Sequence, residues 1–415
     1  MSSNSPNTTN TAAPSNVWRA IFAGLSASLI GIGLARFAYT PLLPVLIQSH
    51  WFSASEAVYL GAANLAGYLI GAVIGRPLAA RLNNVQVLRA MIVLVALAFF
   101  ACAFPISVSW FFVWRLLSGL AGGTIMVLVA ATVLPHVPEN RKGIASGAIF
   151  LGVGLGVAAS GTVVPLLLLL GLRATWIGLG IICVILTAAN WTGWPQNKEH
   201  EVNLQPVVNK ATRVETSTSF LLIYLIYALM ALGLVPAMVF LADFVSRGLG
   251  AGTHLASLFW ILYGVGAIVG APSYGFFVDH FGAKPAIRVF LLLQALAVMG
   301  LAASSNHLFI AVLSIVIGTF PPGIVPLVLA WIREKAPNDG AAQNVVWSKA
   351  TIFFAAFQAA AGYGYSAIFA QSDGDHRLLF EIGAASLALA LIADIAFSIF
   401  RSDVPAKSAT KEDAS

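Results

Sequence analysis

The stretch Leu29-Ile30-Gly31-Ile32-Gly33-Leu34-Ala35-Arg36-Phe37-Ala38-Tyr39-Thr40-Pro41-Leu42-Leu43-Pro44-Val45-Leu46 carries one charge, Arg36, inside an apolar run long enough to cross a bilayer. A guanidinium near the bilayer centre costs about 3 kcal/mol on insertion scales, so such a residue turns toward protein or a water-filled cavity. Tyr39 and Thr40 follow at helical spacing and are expected to share the face of Arg36. Pro41 and Pro44 lack the N–H that would continue the helical ladder, so the segment is expected to bend there. A bent span with a fixed positive charge and two hydroxyls reads as the wall of a polar pathway. The plainer alternative is an arginine that staples two helices together.

The rest of the chain agrees with a membrane setting. Of its 415 residues, 59% are hydrophobic and 9% charged, against about 25% charged in soluble domains. Mean hydropathy is +0.87. The net charge of +6 sits in short loops between apolar runs rather than on one basic face, which argues against a nucleic-acid partner. Cys102 and Cys183 lie singly inside apolar segments and read as packing residues. Residues 1–16 lack the charged start and apolar centre of a signal peptide and are expected to form a disordered cytoplasmic tail.

Six apolar segments precede a polar stretch: Trp18–Ile47, Tyr59–Leu78, Val85–Phe104, Ser109–Leu134, Gly143–Leu170 and Thr175–Trp194. Six follow it: Phe220–Phe244, Leu255–Phe277, Ala286–Ala303, Leu308–Trp331, Val345–Phe369 and Leu378–Phe400. A helix needs roughly 20 residues to span the hydrocarbon. The reading is therefore an all-α membrane protein of twelve transmembrane helices in two six-helix bundles, 17–194 and 220–400. A cytoplasmic linker is expected at 195–219 and a cytoplasmic tail at 401–415. Sixteen of the 22 Lys and Arg fall on the side of the chain ends and three (Arg173, Arg247 and Arg377) on the other, with Arg36, Arg115 and Lys349 inside spans. The positive-inside bias thus places both ends and the linker in the cytoplasm, and the expected location is the inner membrane.

The halves repeat each other. After the second span comes Gly75-Arg76-Pro77-Leu78-Ala79-Ala80-Arg81-Leu82-Asn83, and after the eighth Gly275-Phe276-Phe277-Val278-Asp279-His280-Phe281-Gly282-Ala283-Lys284. A second echo pairs Pro138–Gly143 with Pro337–Gly340. Such repeats imply bundles related by an axis along the membrane normal, with a binding site between them. The Gly275–Lys284 pattern resembles the loop signature of the major facilitator superfamily. In the first copy Ala80 stands where that family has aspartate and Asn83 where it has glycine. The run Arg115-Leu116-Leu117-Ser118-Gly119-Leu120-Ala121-Gly122-Gly123 resembles the family's arginine–glycine motif, linked to proton coupling. The Arg36–Pro44 run, with Trp347, Lys349 and Thr351, resembles the YbfB/YjiJ-like branch. The resemblance implies the major facilitator fold, and a gate built from Gly275, Asp279, Gly282 and Lys284 with Arg81.

Candidate site residues follow. Arg36, Tyr39 and Thr40 would hold substrate, with Tyr227, Lys349 and Gln358 lining the cavity. Arg115 reads either as a substrate or proton linkage or as a bond to carbonyls of a kinked neighbour. Lys349 either faces the cavity, where desolvation would make it a coupling site, or snorkels to the interface. Tyr263, Gln294 and Thr319 are further cavity candidates. Among the acids, Asp243 is expected to meet water, Asp279 to bond a helix N-terminus or a basic loop residue, and Asp394 to form a structural pair. Gly152, Gly156 and Ser160 recur every fourth residue, which suits close helix packing. Phe320-Pro321-Pro322-Gly323 is expected to break the tenth span.

The chain has no P-loop, no His-Glu-x-x-His and no Gly-x-Ser-x-Gly pattern, so neither an ATP-driven pump nor an enzyme is expected, and no cofactor. The expectation is a monomeric secondary transporter of a small organic solute. It is proton-coupled and works by alternating access, with export first and uptake of an organic anion second. The rival class is a non-transporting receptor on the same scaffold.

Overall fold

The structure is a computed structural model that describes residues 14–138, 142–195, 218–336 and 340–402. The expected tails up to residue 13 and beyond 402, residues 196–217 of the linker, and most of the Pro138–Gly143 and Pro337–Gly340 echoes lie outside the described residues. The first helix begins at Pro14, so three residues assigned to the tail are helical.

Among the described residues, twelve helices are long and apolar enough to cross a membrane. In the first bundle these are α1 Val17–Gln48, α2 Ala54–Arg81, α3 Asn84–Cys102, α4 Val108–His136, α5 Ala145–Leu168 and α6 Leu172–Asn190. In the second they are α7 Phe220–Gly248, α8 Gly252–Phe281, α9 Ala283–Ala303, α10 His307–Lys335, α11 Val345–Gln371 and α12 His376–Ile399. Several starts fall earlier than hydropathy implies, because caps are polar. Ser53 and Glu56 form a reciprocal capping box that opens α2 five residues before Tyr59. Ser107 and Asn306 cap α4 and α10 more simply, their side chains accepting from the Trp110 and Phe309 amides.

The two bundles repeat one packing scheme. α2 lies against α4 and α8 against α10, while α3 pairs with α6 and α9 with α12. At the first two interfaces glycine lets backbones touch: a Cβ on Gly67 would sit 1.9 Å from the Leu116 carbonyl, and one on Gly318 2.0 Å from that of Tyr263. α3, α6, α9 and α12 turn residues such as Leu97, Ile185, Leu296 and Ile392 outward, as helices facing lipid tails should. The bundles meet where α5 packs on α8, α2 on α11 and α1 on α7. The α2–α3 and α8–α9 turns match: Asn83 (φ 84°, ψ 145°) and Gly282 (φ 81°, ψ 167°) share one left-handed conformation. Asn83 takes the glycine position by adding a cap, accepting bonds from the Val85 and Gln86 amides at 2.9 and 3.1 Å.

An even number of crossings puts both ends of the described chain on one face, called proximal here. Three hydrogen bonds between the bundles, Thr40 to Met238, Gln48 to Ser246 and Trp260 to Ser160, lie in the distal half.

Candidate functional site

α1 is not one regular helix. Leu29–Leu34 forms a π-helical turn, a feature common at functional positions. Its glycines allow very close crossings. A Cβ on Gly33 would lie 2.6 Å from the Gly156 Cα, and one on Gly31 2.4 Å from the Ile125 side chain. The helix breaks again at Ala38, before Pro41 and Pro44. Arg36 sits between these two irregularities and is half-buried.

From there it reaches a small cavity between the bundles, lined by Arg36, Phe37, Tyr68, Phe150, Tyr227, Met238, Pro321, Phe354 and Gln358 among others. The guanidinium lies 4.2 Å from the Tyr68 ring centroid, a cation–π contact. Among the described residues, no carboxylate and no second cation belongs to the lining. Gln358 is fully buried, and neither its amide nitrogen nor its oxygen has a partner among the described residues. Tyr227 packs on Phe354 at 4.5 Å between centroids. Distally the cavity is roofed by Phe37 against Trp260, whose indole donates to Ser160 at 2.9 Å.

Three of the expected substrate residues, Arg36, Tyr227 and Gln358, therefore meet in one place. Tyr39, Thr40 and Lys349 do not line it. The Tyr39 hydroxyl donates to the Ala57 carbonyl at 2.6 Å, and that of Thr40 to the Met238 carbonyl at 2.7 Å. Both hydroxyls satisfy themselves on neighbouring backbone. Lys349 is partly buried on α11.

Arg115 bonds a carbonyl of α1. It is 3% exposed, donates to the Ala35 carbonyl at 2.8 Å, and lies 4.3 Å over the Tyr39 ring. It borders a small separate void with Cys102 and Trp176 behind α1. The expectation that Asp243 meets water fails. Asp243 is 0% exposed, clasped by Arg247 and bonded to His376 of α12 at 2.7 Å. His376 carried no signal beyond its place at the start of a span, whereas Asp243 and Arg247 stand at i,i+4 spacing.

The expected gate residues sit at the proximal α8–α9 turn. Asp279 is exposed and bonds none of the groups expected for it among the described residues. Glu334 of α10 instead accepts the Ala283 amide at 2.7 Å. Lys284 donates to Ser398 at 3.1 Å, Gly275 has open space beside it, and Arg81 ends α2 on the surface. Asp394 pairs with Arg288. Gln294, Tyr274 and Thr319 form a hydrogen-bonded network inside the second bundle, and Tyr263 stacks on Trp260 at 4.6 Å. The helix break in α10 falls at Thr319, beside the expected prolines.

Tyr68, Phe150 and Phe354 were not singled out from the sequence. Only Tyr68, a tyrosine in the middle of a Gly- and Ala-rich span, offered a signal.

A family model described as the uncharacterised MFS-type transporter YbfB matches residues 28–395. Among curated proteins, the 4-hydroxybenzoate transporter PcaK of Pseudomonas aeruginosa is 23% identical over 80% of this chain and 82% of its own. The benzoate transport protein of Acinetobacter baylyi is 26% identical over 34% of this chain and 31% of its own. Among solved structures, a partially occluded inward-open form of the Escherichia coli xylose transporter XylE superposes with a TM-score of 0.71 at 14% identity, covering 94% of this chain and 98% of that one. A D-xylose–proton symporter gives a TM-score of 0.72 at 17% identity, over 91% and 96% of the two chains.

Proposed function

This chain belongs to the YbfB-type family of major facilitator superfamily transporters, and from that premise we propose that it is a secondary carrier for a small organic anion. Arg36 is the anchor. One observation carries the reading: a single guanidinium faces a largely apolar and aromatic cavity between the bundles, with no carboxylate in its lining among the described residues. A buried cation of this kind is stabilised chiefly by a counter-ion with hydrogen-bond acceptors, which the substrate supplies. The names of the benzoate and 4-hydroxybenzoate relatives support the same class.

The two bundles rock about the cavity, exposing it first on one face and then on the other. The excess of Lys and Arg in the proximal loops supports a cytoplasmic proximal face in an inner-membrane topology. A proton gradient drives the cycle, with Lys349 rather than Arg115 as the coupling group, because Arg115 already spends a donor on the Ala35 carbonyl. Export of a hydrophobic organic compound is the second reading, favoured by the aromatic lining.

Counterflow in proteoliposomes against a panel of organic acids, amines and neutral solutes tests the assignment. Acids are expected to exchange, and Arg36→Ala is expected to lower their flux about ten- to a hundredfold, in keeping with about 1.5–3 kcal/mol for a hydrogen bond to a charged group. Wild-type flux from a correctly inserted Arg36→Ala protein removes Arg36 from the site. Reversal of net flux with the imposed pH gradient separates uptake from export.

A further inference from the structure

The cavity makes two polar demands, and the anion accounts for only one. Gln358 on α11 belongs to the same wall as Arg36, is fully buried, and leaves both its amide nitrogen and its amide oxygen without partners among the described residues. A desolvated amide in this condition is costly unless something bonds it. The rest of the lining is mostly apolar and aromatic, with Tyr68 and Phe150 from the first bundle and Tyr227 and Phe354 from the second. A dicarboxylate would leave one charge uncompensated among these rings, and an amine would meet the guanidinium. A sugar would bring several hydroxyls to a wall that offers few partners.

We propose that the substrate is an aromatic monocarboxylate bearing a hydroxyl on its ring. Arg36 takes the carboxylate, the rings enclose the aromatic body, and Gln358 reads the hydroxyl by giving one hydrogen bond and receiving another. The proposal rests on the anion reading of the site and deepens it by making Gln358 the residue that sets specificity. A site built to bond a hydroxyl discriminates strongly against an analogue that lacks it, because its own polar groups are then left unpaired.

The test is displacement of radiolabelled benzoate from the full-length protein in lipid nanodiscs by 3- and 4-hydroxybenzoate and by the matching methylbenzoates. In the wild type the better hydroxybenzoate is expected to displace label at a concentration at least about tenfold lower than its methyl counterpart. In Gln358→Leu, and in the isosteric Gln358→Met should the first variant not fold, that preference is expected to shrink to within about twofold while benzoate itself still binds. Equal displacement by hydroxy and methyl compounds in the wild type overturns the proposal without need of a variant. So does a preference that survives in Gln358→Met. Failure of the wild type to bind benzoate overturns the aromatic class, while the anion reading still stands or falls on counterflow by Arg36→Ala.

Discussion

Two arginines lie in the apolar interior of the first bundle, one helix apart, and their surroundings give them different work. Arg115 lends a donor to the Ala35 carbonyl and its face to Tyr39, so it braces α1 at its break. Arg36 is met by a ring and open space. Removing Arg115 leaves the Ala35 carbonyl without that donor. Arg115→Ala is therefore expected to lose about 1.5–3 kcal/mol of stability, read as a lower melting temperature in detergent. The order of preference among acids should stay unchanged. A changed order with unaltered stability would move Arg115 into the binding site. Asp243 belongs to the bracing class too: its carboxylate ties α7 to α12 through His376.

Among the helices, α1 decides the geometry of the site, and small residues on its neighbours decide α1. The π-helical turn fits against α5 because Gly33 faces Gly156. A Cβ at Gly156 would lie 2.4 Å from the Gly33 Cα, backbone that has nowhere to go. Gly156→Leu is thus expected to force α1 from α5 and lower both yield and thermal stability, whereas Gly147→Ala, with open space beside it, should be neutral. Fluorescence size-exclusion profiles of the two variants check this. Proline acts the other way, by freeing acceptors. Pro236 has no N–H to offer the Leu232 carbonyl, which instead receives the Tyr365 hydroxyl from α11 at 3.1 Å.

Across the whole molecule, the bundles close on each other in the distal half, around Tyr59 and Tyr363 and around the α5–α8 crossing. A Cβ on Gly362 would lie 3.3 Å from that of Ala62, close to the roughly 3.5–4.5 Å that a disulfide spans. The double variant Ala62→Cys, Gly362→Cys should therefore cross-link α2 to α11 in this state. Alternating access requires that contact to open, so oxidation is expected to stop flux by more than about tenfold and reductant to restore it. Unimpaired flux from the fully oxidised protein would show that the distal closure does not break during the cycle.

Fold was legible because it rests on quantities that add along the chain. Spanning length, the basic bias of loops and the repeated Gly275–Lys284 and Gly75–Asn83 turns need no partner to be read. The sequence by itself thus determined twelve crossings, two like bundles and an out-of-place charge at Arg36. Where each polar group spends its hydrogen bonds depends on which carbonyl or carboxylate the packing brings within 3 Å, and that only the tertiary structure decided. It sent the hydroxyls of Tyr39 and Thr40 to the backbone of α2 and α7. It buried Asp243 against a histidine 133 residues away, set Arg36 in the wall of the cavity between the bundles, and left the Gln358 amide without partners among the described residues.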